Sequence, residues 1–200
     1  MPQRYPAMTQ PQPKICLFGG TFDPIHLGHT YIAQQAKKRL NLDKVIFLPC
    51  RQSPHKSKQN SLSDDTRLHL CHLATNALPW AEVSDYDLIA PPPSYSFRTA
   101  QHFHNLYPNA KLYWLMGTDQ WQALPRWKNA TEFAELLEVI VYSRTTPPSP
   151  ITGFTCHTLN LIQHPASATQ IRQQLSTGKT TPWLHPAVAE TLKENHHFLK

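Results

Sequence analysis

The chain has 200 residues, 40% hydrophobic and 16% charged, a length that suits one globular unit burying roughly 70% of its unfolded surface. No apolar run approaches the roughly 18 to 20 residues that span a bilayer, which argues against a membrane protein, and 19 prolines with 6 glycines stay well short of a low-complexity composition. Nineteen basic against 13 acidic residues leave a net charge of +6, with 12 histidines able to add to it at lower pH, so the surface suits anionic ligands.

Residues 1–13 hold Pro2, Pro6, Pro11 and Pro13 with almost no aliphatic side chains and read as a disordered tail; 14–200 read as a single domain with a helical C-terminal segment. Lys14 to Phe18 is a short buried strand broken by Gly19-Gly20, and a helix follows from about Leu27 to Leu40 with Ile32, Ala36 and Leu40 on one stripe. Lys37-Lys38-Arg39 fall near its end, where cations complement the helix dipole. Lys44 to Leu48 is a second apolar strand closed by Pro49, and residues 50–62 form a polar, basic surface loop. Ser63 caps a second helix carrying Leu68, Leu70, Leu73 and Ala77. A short strand near Glu82 to Tyr86, a helix from Ser94 to Leu106 and a strongly apolar strand from Lys111 to Met116, ending at Gly117, come next. Residues 130–137 predict a brief helix, Glu138 to Tyr142 and Phe154 to Leu159 two more strands, and 167–176 and 186–197 two closing helices.

Strands apolar along their whole length, alternating with helices, predict an α/β fold: a doubly wound, Rossmann-like parallel sheet with helices on both faces. Such sheets bind ligands beyond the carboxyl ends of their strands, which directs attention to the loops after Phe18, Leu48, Met116 and Tyr142. Cys16, Cys50, Cys71 and Cys156 form no C-x-x-C pair and the N-terminus has no apolar signal core, so structural thiols and a cytoplasmic location are expected. His69, Cys71 and His72 are spaced around a helix rather than along one face, and no metal site is predicted there.

Chemistry concentrates in the first loop, Gly19-Gly20-Thr21-Phe22-Asp23-Pro24-Ile25-His26-Leu27-Gly28-His29, which is not the dinucleotide pattern G-x-G-x-x-G. Two glycines allow a sharp turn and close approach of a ligand, and the helix that follows aims its amides and positive dipole end at the same place. His26 and His29, three apart across the helix start, share a face, and Gly28 leaves room between them. This is a phosphate-binding arrangement.

The stretch GGTFDPIHLGH resembles the signature of the H-x-G-H nucleotidyltransferase superfamily. That signature alone is shared by cytidylyltransferases, pantetheine-phosphate adenylyltransferase and class I aminoacyl-tRNA synthetases. Pro54-His55-Lys56, Ser94-Tyr95-Ser96 with Thr99, Gly117-Thr118-Asp119 with Trp127, and Ser167-Ala168-Thr169-Gln170-Ile171-Arg172 are similar, in that order, to the motifs of bacterial nicotinate-nucleotide adenylyltransferases. The resemblance implies transfer of AMP from ATP to nicotinate mononucleotide, giving deamido-NAD and pyrophosphate by direct in-line attack; relatives using nicotinamide mononucleotide or pantetheine phosphate are the alternative.

The resemblance also implies roles. His26, His29 and Arg172 would act on the phosphates of ATP; Gly19, Gly20, Thr21, Phe22, Gly28, Gly117, Asp119, Ser167 and Thr169 would bind the nucleotide, Asp119 through a ribose hydroxyl. His55, Lys56, Tyr95, Ser96, Thr99 and Trp127 would hold nicotinate mononucleotide, with Trp121 a nearby alternative to Trp127 for stacking on the ring. Mg2+ would come with ATP, bridging phosphate oxygens, since that cation prefers phosphates and water to a full protein cage. A nucleic-acid partner is not expected, because no binding motif or basic helix is present. Nothing in the sequence specifies an oligomeric state.

Overall fold

The computed structural model describes residues 11–51, 62–143, 146–160 and 164–194. Six strands, β1 (Lys14–Gly20), β2 (Lys44–Pro49), β3 (Ala81–Val83), β4 (Lys111–Gly117), β5 (Glu138–Ser143) and β6 (Cys156–Asn160), form one sheet in the order β3-β2-β1-β4-β5-β6. Every pairing is parallel. Side chains alternate between the two faces of a strand, and here both faces are apolar, so the sheet must be covered on both sides. Cys16, Val45, Phe47 and Leu115 pack with α1 (Leu27–Leu40), α2 (Asp64–Thr75), α7 (Ala168–Ser176) and α8 (Pro186–Glu194) on one face. Leu17, Ile46, Trp114 and Val139 pack with α4 (Ser96–Leu106), α5 (Thr118–Ala123) and α6 (Ala130–Leu136) on the other. The chain winds outward from β1 to β3, returns to the middle at β4 and winds the other way. The crevice between the ends of β1 and β4 is therefore the switch point where such a fold leaves room for a ligand.

Several expectations need correction. β1 runs through both glycines, and neither has positive φ; the left-handed residue of the first loop is Phe22, at φ 47°. The glycines answer to space instead: a Cβ on Gly19 would lie 2.9 Å from the Trp114 ring, and one on Gly20 2.9 Å from the Phe22 ring. The strand placed near Glu82 to Tyr86 stops at Val83, because Tyr86–Ile89 forms a one-turn helix, α3. Ala77 lies beyond the end of α2 and is exposed, and the last strand begins two residues later than expected, at Cys156. α4 begins at Ser96, with Ser94 and Tyr95 leading into it. α5 and the 3-10 turn Leu124–Arg126 were not anticipated, being too short to show a helical period. Cys16, Cys50 and Cys71 are buried, and burial pushes the Cys16 and Cys71 thiols well above the ordinary range, as expected of structural thiols.

Candidate active site

Apolar β1 carries the chain into the crevice, and the loop after it is held from outside. Asp23 Oδ1 accepts from the Leu62 amide at 3.0 Å, and Arg67, wholly buried on α2, donates to the Thr21 carbonyl at 2.5 Å and to Asp64 at 2.5 Å. Arg172 reaches in from α7 to donate to the Asp23 carbonyl at 2.5 Å. Two carbonyls of one loop are thus drawn onto guanidinium groups from two distant helices.

His26 and His29 stack face to face at the start of α1, ring centroids 3.7 Å apart and 18° from parallel. The His26 amide donates to His29 Nδ1 at 3.2 Å, which assigns the His29 proton to Nε2 and makes that atom a donor. Phe22 stands edge-on against His29, centroids 5.0 Å apart, and is itself 2% exposed, so it supports the imidazole from behind rather than offering itself to a ligand. Gly28 does what its small size allows: a Cβ there would lie 3.0 Å from the His26 ring and 3.3 Å from His164 Nδ1. Burial holds the His164 imidazole below its usual range.

Beside this corner lies a cavity of about 370 Å³ between β1 and β4. Gly19, Gly20 and Thr21 form one wall, Trp114, Met116 and Gly117 another, and Tyr95, Ser96 and Trp127 a third. Gly117 faces open space, with no atom within 4 Å of where a Cβ would stand. Lys128 Nζ sits over the Tyr95 ring, 4.8 Å from its centroid, a cation–π contact that places a positive charge at this wall. The two tryptophans separate cleanly: Trp127 lines the cavity, whereas Trp121 is 1% exposed in the core and donates through Nε1 to the Ser149 carbonyl.

The remaining predicted site residues divide. Ser167 precedes α7 as its N-cap residue, and the exposed Thr169 lies 3.4 Å from an Arg172 nitrogen, so both stand with the arginine that reaches the loop. Asp119 is exposed in the first turn of α5, outside the cavity wall, where its neighbour Gln120 is found instead. Thr99 is the clear correction. It is fully buried, is absent from the wall, and donates its hydroxyl to Asp87 Oδ1 at 2.5 Å; Asp87 lines the cavity in its place. Burial raises the Asp87 carboxyl to about 6, against the opposing pull of the Thr99 hydroxyl and the Arg98 charge. His55 and Lys56 lie outside the described residues.

Sequence reasoning missed Asp87, Arg67 and Asp23. Arg67 carried a usable signal, since it shares the 67-70-71-74 stripe with Leu70, Cys71 and Ala74, and an arginine on an apolar stripe must have buried partners. Asp87 carried none, because nothing in a one-turn helix tells which side faces a cavity.

A family model described as cytidylyltransferase-like matches residues 17–174. A relative from Methylacidiphilum infernorum (isolate V4), named "Probable nicotinate-nucleotide adenylyltransferase", is 37% identical over 190 residues, covering 93% of this chain and 92% of its own. The chain belongs to the nicotinate-nucleotide adenylyltransferase family. Another member, from Bacteroides thetaiotaomicron, is 34% identical across 90% of this chain and 91% of its own. The fold of the family agrees with what the strands dictate: Plasmodium falciparum nicotinic acid mononucleotide adenylyltransferase complexed with NaAD superposes with a TM-score of 0.73 at 18% identity, covering 93% of this chain and 98% of that one. Among the described residues no helix is long and apolar enough to cross a membrane.

Proposed function

We propose that this chain transfers AMP from ATP to nicotinate mononucleotide in the cytoplasm, releasing pyrophosphate and forming deamido-NAD, a step of NAD biosynthesis. The observation that carries the reading is the wall Gly19–Thr21, which lines the aromatic cavity and runs from the end of β1 straight into the short loop that leads to the stacked imidazoles. A mononucleotide in the cavity therefore brings its phosphate toward a triphosphate held at the corner.

An oxygen of the acceptor's 5′-phosphate bonds to the α-phosphorus of ATP while the bond to the bridging oxygen breaks, its electron pair leaving on pyrophosphate. No protein nucleophile is needed, and holding both substrates in one crevice supplies on the order of 7 to 11 kcal/mol of the barrier. What the residues must provide is positive charge where the phosphates meet. His29 offers Nε2–H, His26 stacks on it, and Arg172 brings its fork of donors to the same loop. Ser167 and Thr169, beside Arg172 at the start of α7, bind the terminal phosphates, and Asp119 takes a ribose hydroxyl near the open face of Gly117. Tyr95, Ser96 and Trp127 hold the nicotinate ring, and Thr99 acts behind them through Asp87. His55 and Lys56 belong to the same proposal as contacts to the acceptor phosphate.

Magnesium enters as part of the ATP substrate. Among the described residues no cluster of three or more His, Cys, Asp or Glu gathers into a cage, and the imidazole and guanidinium donors at the corner fit phosphate oxygens that carry the ion. A pyrophosphate-release assay with Mg-ATP and a panel of acceptors tests the reading. Turnover with nicotinate mononucleotide well above that with nicotinamide mononucleotide or pantetheine phosphate supports it; turnover with another acceptor alone refutes it.

A further inference from the structure

Asp87 is 3% exposed, yet it forms part of the cavity wall. Its Oδ1 takes the Thr99 hydroxyl, and among the described residues no other donor and no cation reaches the carboxylate within hydrogen-bond or ion-pair distance. The Arg98 charge acts on this carboxylate from a distance, but neither nearby cation contacts it. Arg98 donates to the Pro93 carbonyl at 3.2 Å, and Lys128 lies over the Tyr95 ring. A carboxylate taken out of water without a cation in contact is costly, and for a residue that forms part of an aromatic cavity's wall a cationic ligand is the partner that offsets this cost. Nicotinate mononucleotide carries a group of that kind. Its ring nitrogen bears the ribose and is a permanent pyridinium cation, flat and apolar on both faces, suited to Trp127 and Tyr95 on the same wall.

We propose that Asp87 is the counter-ion of the pyridinium ring, so that this site selects a cationic heteroaromatic by charge as well as by stacking. The inference rests on the functional reading above and deepens it: Lys128 and Arg126, exposed at the mouth of the cavity, meet the anionic parts of the acceptor, and Asp87 meets its cation. The Thr99 hydroxyl orients the carboxylate from behind.

The test varies both charges. Calorimetric titration of the full chain compares nicotinate mononucleotide with its 1,4-dihydro form, which has nearly the same shape and a neutral ring. Wild type binds the cationic form at least tenfold more tightly. Asp87→Asn, which keeps an acceptor for Thr99, reduces that ratio to within twofold by weakening the cationic form, and leaves KM for ATP unchanged. Asp87→Ser, smaller and equally neutral, gives the same collapse, so the result does not depend on one variant folding well. Thr99→Val removes the hydroxyl and keeps the charge, and retains a preference of at least fivefold. A ratio unchanged in both Asp87 variants overturns the proposal. So does an equal weakening of both ring forms, which is what a purely structural role would produce. Wild-type protein that binds neither ring form sinks the functional reading itself, and this one with it.

Discussion

The burial of Asp87 has a thermodynamic consequence that Asp87→Asn isolates. Its carboxyl stands at about 6 in the folded chain, against 3.8 ordinarily, with burial the largest cause. Below about pH 4 the group is protonated in both folded and unfolded states and contributes no pH dependence. Between about 4 and 6 the folded chain keeps a proton that the unfolded chain has lost, so stability falls as pH rises through this window. Above it, the buried charge costs about 3 kcal/mol relative to the protonated form, at about 1.4 kcal/mol per pH unit. Asparagine preserves the shape and the acceptor for the Thr99 hydroxyl without the charge. Urea unfolding of wild type and variant from pH 4.5 to 7.5 gives a difference in which the other titrating groups cancel. The variant is expected to be about 1 to 3 kcal/mol more stable at pH 7.5, with the advantage shrinking toward pH 4.5. A difference independent of pH, or a variant less stable at pH 7.5, would show that the native carboxylate has its charge satisfied by the protein. Gained stability together with weakened binding of the acceptor would mark a residue kept for its ligand.

His29→Ala removes one donor from the developing charge and is expected to lower kcat by about 10² to 10³, with the circular dichroism spectrum unchanged; turnover within threefold of wild type would remove His29 from the mechanism. Arg67→Met removes a wholly buried guanidinium's bonds to the Thr21 carbonyl and to the half-buried Asp64, which keeps Arg51, an expected loss of about 1 to 3 kcal/mol on urea unfolding, and a loss under about 0.5 kcal/mol would show the loop held by other means. Gly19→Ala carries no φ penalty but sets a methyl 2.9 Å from the Trp114 ring, itself edge-on against Phe133 at 5.3 Å. Overpacking of about 1 to 3 kcal/mol should appear as a lowered Tm, and an unchanged Tm would mean that Trp114 can swing aside.

The parts of the fold visible in one dimension were those set by local chemistry. KVIFL and KLYWLM are apolar on both sides of the pleat, and only a sheet covered on two faces satisfies them, so parallel winding and a ligand crevice at the strand ends followed from the residues alone. The three-residue spacing of His26 and His29 across a helix start likewise places both imidazoles together. Tertiary structure decided what depends on distant partners. Arg172 meets Asp23 across 149 residues of chain, and Arg67 meets Thr21 across 46, contacts that no local period encodes. Thr99 turned from the cavity wall to the hydroxyl behind Asp87 because α4 presents it to α3, and the left-handed Phe22 places its ring beside Gly20 and edge-on against His29, contacts set by the loop's packing. Periodicity tells which side of an element is apolar; which polar atom ends up at a cavity is settled by how the elements pack, and that is a property of the whole chain at once.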